Sequence, residues 1–188
     1  MTYEERLIRG KKSRKVPRMG DIFTMQIASG YLHGVVVSDG VQVFLGPDSP
    51  PCLLVHVDRR VATRPDEIPA FRCRELLMPP VITDRRGWTQ GYFVTVGRLA
   101  SPPVCPTSFF DYRWGGQWLD AQRNVLPGPV GDVAMMALST YSAIGVLVET
   151  AIAGTQKWPP GSPRSGEHTP RAIDWSKIQR APADPKSD

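Results

Sequence analysis

The sequence predicts a mainly β (α+β) fold: a strongly bent antiparallel sheet or partly open small barrel of about seven to nine short strands, with one C-terminal helix packed on it and flexible tails. Three observations carry this. Apolar residues alternate at period two through most of the middle of the chain. The 188 residues include 17 Gly and 19 Pro, which favours many turns over long helices. Only one stretch, near residue 150, shows helical periodicity.

Residues 1–16 form a basic N-terminal arm with Lys11-Lys12-Ser13-Arg14-Lys15, read as solvated chain with room for a short helical turn from Tyr3 to Ile8; binding of a nucleic acid or an acidic partner is the alternative role for it. The domain then covers residues 17–155 and opens at Pro17-Arg18-Met19-Gly20-Asp21. Phe23, Met25 and Ile27 alternate with Ile22, Thr24 and Gln26 in a first strand. Ser29-Gly30 marks a turn, and Tyr31 to Val37 a second strand. Asp39-Gly40 reads as a tight hairpin turn into a third strand, Val41 to Leu45. After a proline loop, Cys52 to Val57 is a continuous apolar run, as in a strand buried on both faces. Phe71 to Leu77 alternates and reads as another strand.

Thr83 to Gly97 is the stretch around which the chain is organised. Trp88, Gln90, Tyr92, Val94 and Val96 share one face, and Thr89, Phe93 and Thr95 the other. This pattern predicts a central core strand anchored by Trp88, Tyr92 and Phe93, because aromatic side chains bury so much area. Phe109 to Trp118 reads as a strand, a glycine turn at Gly115-Gly116 and a return strand, and Leu119 to Pro129 as a loop. Ile144, Leu147, Val148, Ala151 and Ile152 recur at helical spacing, with Ser139 or Thr140 as the cap and Gly154 at the end. Gly145-Val146-Leu147-Val148 also fits a strand. Residues 156–188 are a Pro-rich tail with one short docking turn around residues 172–178.

The net charge of +5 is unevenly placed. Residues 1–16 carry six Lys/Arg against two Asp/Glu, residues 17–155 eleven against twelve, and residues 156–188 six against four. With the domain near neutral in this count, a nucleic-acid partner is not expected. No apolar run reaches the roughly 18–20 residues of a membrane span, and no apolar stretch follows the charged N-terminus as in a secretory signal. The expectation is a cytoplasmic protein with no membrane partner.

Chemistry has few footholds. Cys52, Cys73 and Cys105 are widely spaced and form no CxxC pair, so they read as small apolar residues in a reducing compartment, not as metal ligands. His33, His56 and His168 form no metal-binding spacing, and His56 sits among apolar neighbours. Cys105 with a distant His33 or His56 is the one nucleophile pairing available, and no local signature accompanies it. Nucleotide-loop and serine-hydrolase motifs are missing as well. No cofactor, metal or catalytic residue is expected. Arg59, Arg60, Arg85 and Arg86 are paired arginines at strand ends, suited either to solvent or to bidentate recognition of an acidic group. Trp114 and Trp118 flank the glycine turn and fit either core or interface.

Five pieces in order resemble the Immunity protein 26 family of bacterial polymorphic-toxin systems. They are Arg18-Met19-Gly20-Asp21-Ile22-Phe23, Gly30 to Val36, Pro79 to Ile82, Arg86-Gly87-Trp88 with Gly91-Tyr92-Phe93, and Pro129-Val130-Gly131 ahead of Leu138 to Ile144. His33 departs from the pattern, and both tails lie outside it. The resemblance implies a non-enzymatic inhibitor that binds the C-terminal domain of a cognate toxin. Arg59, Arg60, Arg85, Arg86, Trp114 and Trp118 are the candidate toxin-binding residues, chosen from their chemistry and not from the family. Two other readings remain: a small RNA-binding or RNA-cleaving barrel, which calls for a basic groove, and a small-molecule or adaptor module, which calls for an apolar pocket.

Overall fold

Alternating side chains build the larger sheet. In the computed structural model, which describes residues 6–44, 50–72, 75–101, 105–114, 116–159 and 162, it has five strands. They are β1 (Asp21–Ile27), β2 (Gly30–Val41), β3 (Cys52–Ala62), β4 (Val81–Thr83) and β5 (Val94–Arg98), in the order β4-β3-β2-β1-β5. All pairings are antiparallel. A helix, α1 (Arg86–Gln90), separates β4 from β5. The smaller sheet has β6 (Thr107–Asp111), β7 (Gln117–Leu119), β8 (Val125–Leu126) and β9 (Asp132–Met135), in the order β8-β7-β6-β9, with β9 parallel to β6. A 3-10 turn, Tyr112–Trp114, joins β6 to β7, and α2 (Tyr141–Ile152) closes the domain. The fold is mainly β, with two open sheets and one long helix.

Period two gives the larger sheet two faces, and different elements cover them. One face presents Phe23, Met25, Leu32, Val36, Leu53, Val55, Val57 and Val81 to Trp88, Tyr92 and Phe93 and to Ile144, Val148 and Ala151 of α2. The other presents Cys52, Leu54 and Ile82 to Phe109, Leu119, Ala134 and Met136 of the smaller sheet and its margin. Phe23, Trp88 and Phe93 form a triangle with ring centroids 5.0–5.1 Å apart. Each such pair contributes about 0.5–1.5 kcal/mol beyond simple burial. Phe23 faces Gly34 across the β1–β2 ladder, and a Cβ at Gly34 would stand 2.3 Å from its ring. The glycine is required because the ring occupies the volume of a side chain.

The organising stretch is not one strand. The Asp84 carboxylate accepts the Arg86 amide at 2.8 Å, and the chain coils into α1. It uncoils at Gly91, whose φ of 86° is the left-handed form that ends a helix. Trp88 and Tyr92 stand four apart, a spacing that serves a helical turn as well as a strand face. The three aromatic anchors are buried as expected, but they arrive on α1 and on the turn before β5.

Other boundaries also shift. Asp39-Gly40 makes no tight hairpin: β2 runs through it with breaks in register, and Ser38 Oγ accepts the Gly40 amide. The expected third strand therefore dissolves; Val41 ends β2, and Leu45 lies outside the described residues. β3 continues past Val57 through Asp58-Arg59-Arg60, because Asp58 binds Arg60 within the strand. Among the described residues of the expected strand Phe71 to Leu77, Leu76 forms an isolated bridge with Asp58. The expected loop from Leu119 to Pro129 contains β8, and β9 is a strand that simple alternation did not reveal.

The helix stands as expected. Thr140 Oγ1 accepts the Ala143 amide at 3.2 Å, and Gly154 has φ 71°. Gly145 faces the N-terminal arm, where an added Cβ would lie 3.3 Å from Arg6 Cβ and 3.4 Å from Leu7 Cγ. The arm is thus not solvated throughout. Leu7 is 3 % exposed within the core, and three backbone hydrogen bonds tie the following residues down: Ile8 N–H to Gln26 O, Gly10 N–H to Gly91 O and Ser13 N–H to Trp88 O. The tail segment 172–178 lies outside the described residues.

Candidate binding surfaces

The two arginine pairs do not meet. Thr83 pairs with Leu53 at one end of β3, and Arg85 and Arg86 follow beyond it. Arg59 lies six residues further along β3, about 20 Å away at strand rise. Arg60 has a structural task. It donates to both Asp58 oxygens at 2.8 Å and to the Ala70 carbonyl at 2.7 Å. The hydrogen bond to Asp58 raises the pKa of Arg60 above its ordinary value, with the charges of Asp58 and Glu75 adding to it. Asp58 is 1 % exposed, so this pairing is what lets a carboxylate sit in the strand. Arg59 is exposed and lies 4.0 Å from Glu75. Arg86 is paired with Asp84, and Arg85 has no ion pair among the described residues.

Trp118 is half-buried on β7 and packs on Phe110, with ring centroids 5.5 Å apart. Trp114 ends the 3-10 turn, and its side chain lies outside the described residues. Beside them Asp111 is 2 % exposed and takes hydrogen bonds from Arg113 and Arg123. The bonds from Arg113, above all, hold the Asp111 carboxyl below the usual carboxylate range.

Buried polar groups gather on the face of the larger sheet that Ile22 and Val35 share. Thr24 and His33 are direct partners across β1 and β2, and His56 pairs with Val35. The ring Nε2 of His33 lies 2.9 Å from the Pro65 carbonyl, which accepts its proton. His33 Nδ1 and Thr24 Oγ1 have no hydrogen-bond partner among the described residues. Loop residues close this face: Ile68 reaches Gly97, and Ala70 holds Arg60. Of the cysteines, Cys52 is free, and burial, followed by the charge of Asp84, pushes its thiol pKa up. Cys105 is disulfide-bonded, which corrects the reading of it as a reduced, small apolar residue and removes the one nucleophile pairing that was available. Cys73 lies outside the described residues.

Two surfaces that the linear reading missed are better formed. The first is an apolar cleft of about 380 Å³ lined by Pro79, Pro80, Ile82, Tyr112, Leu147 and Trp158, among others. Tyr112 is 61 % exposed at its edge. Some of the polar groups lining it are already used: the Ser139 backbone amide donates to Ile82 O, its backbone carbonyl accepts from Thr83 Oγ1, and Gln156 bonds to Thr150 and to the Lys157 carbonyl. The Pro79-Pro80 pair was the available signal, since consecutive prolines cannot enter a ladder and leave apolar rings at a margin.

The second surface is basic. The hydrogen bonds at Gly10 and Ser13 lay the arm along α1, so Lys11, Lys12, Arg14 and Lys15 join Arg85 and Arg86 on the folded body. All six are exposed. The apolar pair Leu7-Ile8 was the signal, because it gives the arm something to bury. No family model, curated protein or solved structure matches this chain.

Proposed function

We propose that this chain is an immunity protein that binds a cognate toxin domain and neutralises it stoichiometrically. The observation that carries the reading is the apolar cleft with its aromatic edge. Anchoring residues at protein interfaces fill pockets of this kind, with Tyr and Trp over-represented among them. A small-molecule site needs convergent unsatisfied polar groups to orient its ligand. Here the lining is mostly apolar, and the Ser139 backbone and the Gln156 side chain are engaged internally, which favours an inserted apolar side chain from a protein partner.

The resemblance supports the same reading in a specific way. Arg18 to Phe23, Gly30 to Val36, Arg86-Gly87-Trp88 and Gly91-Tyr92-Phe93 all contribute to the packing around Phe23, Trp88 and Phe93. Pro79 to Ile82 forms a wall of the cleft. The shared pieces thus belong mostly to the scaffold, and the partner-specific surface is left to other residues.

The test is co-expression with the toxin domain encoded beside this gene, followed by gel filtration of the mixture. Rescue of growth together with a one-to-one complex is expected. Ala137 is exposed and lines the cleft, so Ala137→Trp fills it without disturbing the core. That variant is expected to stay folded and to lose the complex. Persistent growth arrest with soluble wild-type protein and no complex overturns the proposal.

A further inference from the structure

The exposed cations on the docked arm and at the start of α1 form a surface that shares no residue with the cleft. We infer that this face binds the phosphate backbone of a nucleic acid. Three observations lead there.

The first is that the charge is unspent. Lys11, Lys12, Arg14, Lys15 and Arg85 make no side-chain hydrogen bond or ion pair among the described residues. Arg60, Arg64, Arg86, Arg98 and Arg113, by contrast, each hold a carboxylate. With Glu4 and Glu5 counted, the arm still carries a net +4.

The second is that the charge is held in place. The arm is fixed by hydrogen bonds of 2.8, 2.7 and 3.0 Å at Ile8, Gly10 and Ser13, so its cations belong to a folded face and not to a loose tail. Four cations lie between Lys11 and Lys15, a stretch of at most about 14 Å. Successive phosphates of one duplex strand advance by about 3.4 Å along the axis, so the stretch faces about four of them.

The third is residue type. Residues 17–155 contain no lysine; all eleven of their cations are arginine. The arm holds Lys11, Lys12 and Lys15. Lysine is depleted at protein–protein interface cores, where aromatic residues, methionine and arginine are enriched. The track of Lys11, Lys12, Arg14 and Lys15, interrupted only by Ser13, has no apolar centre for a protein partner to bury. It matches a ligand that is recognised by charge along a line.

The experiment is fluorescence anisotropy of the full chain with a labelled oligouridine and, separately, a mixed-sequence DNA duplex, across salt concentration. The five unpaired cations give a log–log salt slope of about −3.5 on the single strand and about −4.5 on the duplex. Affinity for the RNA then falls about 130-fold between about 50 and 200 mM salt. Reversing Lys11, Lys12, Arg14 and Lys15 to Glu leaves one unpaired cation, and the single-strand slope flattens to about −0.7 or less. Arg85→Glu alone, outside the arm, lowers the slope by about 0.7–0.9. The two probes tell whether one or both nucleic acids are bound; either result supports the inference. Absence of binding at about 50 mM salt overturns it, as does a fourfold variant that keeps the wild-type slope. Binding of polyglutamate with neither nucleic acid bound also overturns it and assigns the face to an acidic protein. Ala137→Trp is expected to leave all these affinities unchanged, so failure here is separable from failure of the toxin-binding reading.

Discussion

Gly91→Ala tests whether the arm is part of the fold. Gly91 has φ 86°, and a non-glycine residue held there costs about 1–2 kcal/mol. That strain persists whether the arm is on or off, so it lowers global stability. A second cost depends on the arm. The new Cβ would stand 2.6 Å from the Gly10 carbonyl oxygen and 3.3 Å from the Lys12 amide nitrogen. Both are backbone atoms, so the clash is relieved only if the arm retreats. Retreat breaks the 2.7 Å bond from Gly10 N–H to Gly91 O, which with the clash amounts to about 1–2 kcal/mol. The total of about 3 kcal/mol lowers the melting temperature by about 6–12 °C for a chain of this size. Hydrogen exchange separates the two parts: the Gly10 and Ser13 amides are expected to exchange about 5- to 30-fold faster in the variant, while amides of β2 keep their order of protection. Wild-type Gly10 and Ser13 amides exchanging like those of an unstructured peptide would refute the docking.

Three further outcomes follow from the packing and the charges. Gly34→Ala puts a Cβ 2.3 Å from the Phe23 ring and is expected to cost about 1–3 kcal/mol; adding Phe23→Leu makes room, so the double variant is less destabilised in urea than the sum of the two. Asp111 has its carboxyl pKa depressed in the folded state, so its contribution to stability is complete above about pH 4 and is lost as pH falls through that lowered value; Asp111→Asn is expected to flatten this part of the stability–pH curve and to cost about 2 kcal/mol at neutral pH. Cys52 is free and buried with a raised thiol pKa, so a thiol reagent is expected to react with it only after denaturation, and with disulfide-bonded Cys105 only after reduction.

What was legible in the sequence was what local chemistry decides. β1 and β2, the apolar run of β3 and the capped α2 follow from alternation, from Ser29-Gly30 and from Thr140 with Gly154. The errors came where two periods overlap or where a distant group decides. Trp88 and Tyr92 fit both a strand face and a helical turn, and only the ring of Phe93 over Gly87 shows which one holds: a Cβ at Gly87 would stand 2.2 Å from that ring. β3 outlasted its apolar run because Arg60 donates to both the Asp58 carboxylate and the Ala70 carbonyl beyond it. β9 is short, and its parallel partner β6 lies more than twenty residues earlier, so nothing local announces it.

The surfaces were the least legible, and the reason is general. A cleft is made by elements far apart in the chain, here Pro79-Pro80, Tyr112, Leu147 and Trp158, none of which is unusual alone. Charge behaves the same way. Counted by segment, the basic residues fall in an arm and the domain is neutral, which argues against a polyanion partner. Counted by surface, the buried Leu7 and the bonds to Trp88 and Gly91 carry that arm onto α1, the element that Arg85 and Arg86 open. A single apolar side chain thus decides whether the net charge is a property of a tail or of a face. It follows that Leu7→Ala should weaken a salt-dependent interaction without removing any charge.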